Sequence, residues 1–271
     1  MSMTNVDKGA FFMKRKWWLP LVGAVLIVAT ACSKSGPGQT GANGEPENKT
    51  VVVLLDKTAS VKDQNGVFKE ALEKIVGSLH GGDSFRLAEI TGSSEDDFSF
   101  VVHSVLPSPT PYNPLTTNKS EYDVANKKAE SDRAATRKTL LGDLDKELAK
   151  RPKAMTTDLF GAINTVGLYL QAHKDRKRIL VILSDMIEED SHWRFQKVKW
   201  TPALREKILA HEKGLGLLPD LSGVDVYVVG ARGPRISVTQ NIRFFWEEYF
   251  RDSHAVLPPD HYAHALLSWK N

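Results

Sequence analysis

The chain has 271 residues, 41% of them apolar and 25% charged, with a formal net charge of +3. That length and balance suit one large or two small globular domains and exclude a disordered or fibrous chain. Residues 1–31 hold four of the 36 bases (Lys8, Lys14, Arg15, Lys16) and one of the 33 acids (Asp7), so 32 of each remain beyond them, a neutral balance with no footprint of nucleic acid or polyanions.

The N-terminus reads as a targeting segment. Lys14-Arg15-Lys16 precede "WWLPLVGAVLIVATA", residues 17–31, which are uncharged. A basic region, a short apolar run and small residues describe an export signal. Fifteen helical residues would reach about 22 Å, short of the roughly 30 Å hydrocarbon core. Met13, just before the basic cluster, is a second candidate start. Cys32 is the only cysteine, which rules out an intramolecular disulfide or a thiolate metal cluster. The "ATAC" stretch resembles the lipobox of bacterial lipoproteins, with Ala29 where Leu is usual. The resemblance implies a diacylated Cys32 that anchors the chain to a membrane of the bacterial cell envelope, on its extracytoplasmic side. A cleaved secretory signal with an incidental cysteine, or an uncleaved anchor, are the alternatives. Residues 33–49 are rich in Gly, Pro, Ser and Asn, so residues 32–49 read as a tether, a coil spanning roughly 20–25 Å.

From residue 50 strands and helices alternate. "TVVVLLD" (50–56) is a continuous apolar run, as expected of a buried parallel strand. A helix is expected over 67–80, stopped by Gly81-Gly82, and then strands over 83–91 and 97–106 that can form a hairpin. Residues 107–119 are a proline-rich loop; 120–150 form a charged helix with a narrow stripe at Leu140, Leu141, Leu144 and Leu148. An amphipathic helix over 157–174 leads into a second apolar strand, "KRILVILSD" (177–185). "TPALREKILAHEK" starts as a helix with Pro202 in its first turn, and "VDVYVVGA" (224–231) is a third buried strand. "NIRFFWEEYF" (241–250) reads as a helix, "HAVLP" as a short last strand and "DHYAHALLSWK" as a terminal helix. The expected fold is α/β: a doubly wound, mostly parallel sheet with helices on both faces.

Asp56 and Asp185 each close an apolar strand, and in such a sheet both can open onto the crevice where ligands bind. "VVVLLDKTAS" admits three readings: part of a metal site, a phosphoryl-accepting aspartate, or a strand with a polar turn. Together, "VVVLLDKTAS", "MTTDLFGAI" and "ILVILSD" resemble the three loops of the von Willebrand factor A-type domain over residues 50 to about 255. The family's metal-ion-dependent adhesion site reads Asp-x-Ser-x-Ser, then a lone Thr, then an Asp. The resemblance implies a Mg²⁺ (or Mn²⁺) site of Asp56, Thr58, Ser60, Thr157 and Asp185, whose open position takes a Glu or Asp of a protein partner. It implies binding rather than catalysis. Two carboxylates and three hydroxyls are hard donors suited to such an ion, which keeps water reluctantly yielded at its remaining positions. The sequence departs from the pattern at Thr58 for Ser, at Thr156 where Gly often precedes the Thr, and at Met186 where Gly often follows the Asp. Residues 107–152 form an insertion in a domain reaching from 50 to 271.

Two alternatives stand beside this reading. One is a von Willebrand factor A-type scaffold without metal. The other is a phosphatase of the haloacid-dehalogenase kind, since "DKTAS" is also similar to that phosphorylation loop; Asp56 would be the nucleophile and "SDMIEED" the acidic metal loop. Thr58 then stands where a second aspartate is usual. Glu188, Glu189 and Asp190 are expected to form a solvated loop, His261 and His264 to lie on the surface, and Trp193 and Trp200 to sit in a local amphipathic segment. Lys57, at a non-ligand position, has no role from sequence.

Overall fold

A computed structural model describes residues 48–269 except 109, 110, 112, 114, 153 and 234. The expected signal segment, Cys32 and the tether up to residue 47 lie outside the described residues.

The apolar runs become the centre of a six-stranded sheet. The strands are β1 (Lys49–Asp56), β2 (Ser84–Ile90), β3 (Phe100–Val105), β4 (Lys177–Leu183), β5 (Val224–Val229) and β6 (Tyr262–Ala263). Their order is β3-β2-β1-β4-β5-β6. Every pairing is parallel except the antiparallel β2–β3 hairpin. Alternate side chains of a strand point to opposite faces, and here both faces are dry. Val51, Val53 and Leu55 enter one core with Ile179, Val181 and Leu183; Val52 and Leu54 enter the other with Leu180 and Ile182. Burial on both faces is the reason β1 and β4 read as unbroken apolar runs rather than alternations.

Helices α1 (Asn65–Gly77) and α2 (Lys119–Ala149) cover the first core with Phe68, Leu72, Ile75, Leu140, Leu144 and Leu148. The second core lies under α3 (Leu159–Gln171), α4 (Pro202–Gly214) and α5 (Ile236–Asp252). It is dominated by the aromatic side chains of Phe160, Phe195, Phe245, Trp246 and Tyr249, whose rings meet mainly edge-to-face or tilted. The expected doubly wound architecture is therefore present. The insertion forms mainly α2, whose buried residues, Leu140, Leu144, Glu147 and Leu148, all fall in its last third.

The C-terminal expectations fail. "HAVLP" contributes one parallel bridge, Val256 to Asp225, and "DHYAHALLSWK" is not a helix. Pro259–His261 make a 3₁₀ turn and Tyr262–Ala263 become the edge strand. Backbone pairing explains this: Gly230 donates to the His264 carbonyl at 3.0 Å and Ala231 to that of Ala263 at 3.3 Å. His261 is correspondingly buried, not a surface residue. It stacks on Tyr227 with ring centroids 3.7 Å apart, and its Nδ1 lies 3.1 Å from the Val226 carbonyl. Helix α1 ends before the Gly81-Gly82 stop, at Gly77, and α5 starts earlier than its aromatic run.

Candidate metal centre

The sheet order reverses at β1. Strand β2 lies on one side of it and β4 on the other, so the carboxyl ends of β1 and β4 frame the crevice of the fold. Leu55 pairs in register with Leu183, which brings the residues that follow, Asp56 and Ser184-Asp185, to the same edge.

The first loop is built around the Asp56 carboxylate. Its Oδ1 accepts the Thr58 backbone N–H at 2.8 Å and the Thr58 hydroxyl at 2.7 Å. Its Oδ2 accepts the Ser184 hydroxyl at 2.7 Å. Thr58 Oγ1 and Ser60 Oγ lie 3.0 Å apart, and Ser60 lines the same cleft as Asp185, where its hydroxyl favours the charged carboxylate. Asp185 Oδ1 also accepts the Ile187 N–H at 3.0 Å. With the Asp185 carboxylate on the cleft wall beside Ser60, Asp56, Thr58 and Ser60 thus form one chain of oxygen donors. Ser184 belongs to it and sequence reasoning passed over it. Its signal was its place, between the end of β4, which pairs with β1, and Asp185.

Thr157 reaches the same edge by its backbone. It exchanges hydrogen bonds with Glu189 at 2.8 and 3.1 Å, and neighbouring Ala154 bridges to Thr58. The Thr157 side chain is buried; among the described residues its hydroxyl does not hydrogen-bond either carboxylate.

Both carboxylates resist ionisation. Burial pushes Asp56 up, opposed by the hydrogen bonds from Thr58 and Ser184. Burial, and then the charge of Asp56, push Asp185 up to about 7, against the Ile187 N–H, the Ser60 hydroxyl and Arg232. Among the described residues neither is in an ion pair within contact distance. Two buried, mutually repelling carboxylates beside hydroxyl oxygens form a donor set that fits a hard divalent ion, which would relieve that repulsion. The site opens into a cleft of about 360 Å³ lined by Ser60, Asp185, Ile187, Gln196, Arg232 and Gly233.

Two residues without a sequence rationale acquire one. Lys57 points away from the site. Its buried Nζ donates to the carbonyl oxygens of Glu147, Leu148 and Lys150 at 3.0, 3.2 and 2.7 Å. These are carbonyls at the end of α2, where unpaired acceptors and the negative pole of the helix favour a cation. Met186 has φ = +64°, the left-handed region that costs a side chain roughly 1 kcal/mol or more. Its side chain is fully buried and its carbonyl accepts Trp246 Nε1–H at 2.9 Å. The backbone keeps a glycine-like shape while the side chain fills the core. Met186→Gly is expected to lower stability by about 2–4 kcal/mol, because relief of strain offsets part of the lost burial. Denaturant unfolding checks this; a loss above about 5 kcal/mol would show that the strain is negligible.

The loop after Asp185 differs from expectation. Glu188 is fully buried, and its Oε2 accepts the Leu159 N–H at 2.8 Å, in the first turn of α3. It satisfies a helix N-terminus instead of standing in solvent. Glu189 is held by its pairing with Thr157 and lies near Arg194 and Lys197. No cluster of three or more acidic, His or Cys residues able to hold a metal ion occurs among the described residues. Trp193 donates to Glu212 and Trp200 to the Phe195 carbonyl, at 2.6 and 3.1 Å, so both indoles are committed to local packing.

No protein-family model matches the chain, and no curated protein matches it by sequence. Similar solved structures include the open form of the pilus adhesin SpaC from Lactobacillus rhamnosus GG, at 11% identity and TM-score 0.45, covering 82% of this chain and 29% of that one. A von Willebrand factor type A protein from Catenulispora acidiphila has 12% identity and TM-score 0.35, with 78% and 43% coverage. The conserved hypothetical protein BatB from Bacteroides thetaiotaomicron has 13% identity and TM-score 0.37, with 80% and 90% coverage. The chain therefore spans less than half the length of the adhesin and of the Catenulispora protein. The sheet is doubly wound, and the three loops that carry the motif resemblance meet at one carboxyl edge.

Proposed function

We propose that the chain is a non-enzymatic protein-binding module with a divalent-cation site. Asp56, Thr58, Ser60, Thr157 and Asp185 hold Mg²⁺ or Mn²⁺, and a Glu or Asp of a partner protein fills the open position. A bound ion supplies neutralisation of the two carboxylates and an electrophilic position for the partner's oxygen. The observation that carries the reading is the pair of buried carboxylates at the switch point, with the hydroxyls of Thr58, Ser60 and Ser184 gathered around them and, among the described residues, no contacting counter-ion. We further propose that Cys32 is lipid-modified and holds the module in a bacterial cell envelope, outside the cytoplasm. No helix among the described residues is long and apolar enough to cross a membrane.

The geometry weighs against a phosphatase. Thr58 stands where such an enzyme usually has a second aspartate, and its hydroxyl donates to Asp56 Oδ1 at 2.7 Å. Within the acidic loop "SDMIEED" of that reading, Glu188 is engaged at the start of α3. Hydrolysis of p-nitrophenyl phosphate that vanishes in Asp56→Asn would reinstate it.

The pH dependence tests the site. An ion binds the ionised carboxylates, and Asp185 holds its proton up to about pH 7. Binding therefore strengthens as pH rises through 7 and weakens below it. Calorimetric Mg²⁺ titration at pH 8 and pH 5.5 is expected to show affinity lower by roughly tenfold or more at the acid pH. Equal affinities at both would contradict the assignment of Asp185 as a ligand.

A further inference from the structure

The cleft that exposes Asp185 contains a permanent cation. Beyond β5 the chain turns at Gly230, with φ = +98°. A Cβ there would lie 2.6 Å from a Phe68 ring carbon and 2.8 Å from Gln64 Oε1, so the turn needs glycine. That turn carries Arg232 to the cleft wall beside Ser60 and Asp185. The guanidinium Nη2 donates to Asp63 Oδ2, and both side chains are about half exposed, at 46% and 58%. Among the described residues no other lysine or arginine lines the cleft. A guanidinium stays charged throughout the accessible pH range.

Building on the proposed metal site, we infer that Arg232 is its resident counter-cation: it offsets the Asp56–Asp185 charge in the metal-free protein and opposes entry of the divalent ion. The arrangement supports this. Arg232 lines the same cleft as Asp185 and favours its charged form, yet pairs with Asp63, so it makes the local potential less negative without filling the coordination sphere. A second cation entering the same partly desolvated cleft meets like-charge repulsion. Asp63 tunes the effect by sharing the guanidinium charge.

The test uses the full chain and Mn²⁺ alone as probe. At pH 8, above the range in which Asp185 holds its proton, Arg232→Gln is expected to bind Mn²⁺ about three- to tenfold more tightly than wild type, and the gain shrinks at high salt. Asp63→Asn, which frees the guanidinium for Asp185, is expected to weaken binding. Mn²⁺ binding by Arg232→Gln where wild type shows none also supports the inference. Unchanged or weaker binding by Arg232→Gln overturns it. If neither protein binds Mn²⁺, the metal site itself fails, and thermal unfolding in EDTA at pH 8 decides the resident-cation role. A Tm loss on Arg232→Gln that disappears in an Asp185→Asn background upholds it, and equal losses in both backgrounds overturn it.

Discussion

Asp185→Ala is expected to abolish measurable Mg²⁺ and Mn²⁺ binding while the protein stays folded. The site offers the ion two negative charges, and this substitution deletes one of them together with its oxygens. What remains is Asp56, already engaged by Thr58 and Ser184, and neutral hydroxyls. A loss of roughly 100-fold or more in affinity follows, since even residues that only orient ligands cost 10–100-fold. Stability should move the other way. Asp185 is kept protonated to about pH 7 by burial and by Asp56, so the folded metal-free protein holds a proton that the unfolded chain releases near pH 4. Stability attributable to this group declines as pH rises from about 4 to 7. Without the carboxylate that decline disappears, and in EDTA at pH 8 the variant should be at least as stable as wild type. Undiminished calorimetric binding by Asp185→Ala would remove the residue from the site.

Lys57→Met is expected to destabilise the fold by about 2–4 kcal/mol. Methionine keeps the apolar stem and removes the ammonium, leaving carbonyls of Glu147, Leu148 and Lys150 without their shared donor. The Glu147 carbonyl keeps the Lys150 N–H at 3.2 Å and the Leu148 carbonyl keeps Asn65 Nδ2 at 3.3 Å, so the loss is that of three charge-assisted hydrogen bonds, each stronger than a neutral one. The damage should centre on the end of α2, where its few buried leucines lie. Urea unfolding gives the magnitude, and amide exchange over residues 140–150 gives the place. A change below about 0.5 kcal/mol would mean that water replaces the ammonium freely.

The parts of the fold that sequence made legible are those buried on both faces. Strands β1, β4 and β5 have no solvent side, so their apolar runs are continuous and end sharply at polar loops. Asp56 and Asp185 stood out for that reason, and the structure brings them together with Thr58 and Ser60. Thr157 comes to the same edge through its backbone pairing with Glu189. Contacts distant in sequence were not legible. Lys57 meets α2 about ninety residues away, and Ser184 reaches Asp56 across 128. Glu188 looked solvated because three acids in a row usually are, yet its burial depends on where α3 begins. The C-terminal segment had helical spacing, but pairing with the β5 edge outweighed it, and His261 went inward onto Tyr227. Met186 shows the same limit. A glycine-like backbone angle was held by a large side chain because Trp246 and the core fix it.

The most direct test of the cation site is anomalous diffraction from crystals of the protein soaked in Mn²⁺. The expected result is one strong peak between the carboxylates of Asp56 and Asp185, within coordination distance of the Ser60 and Thr58 hydroxyls and absent from Asp185→Ala crystals. A peak elsewhere on the molecule, or none at saturating Mn²⁺ and pH 8, would contradict it.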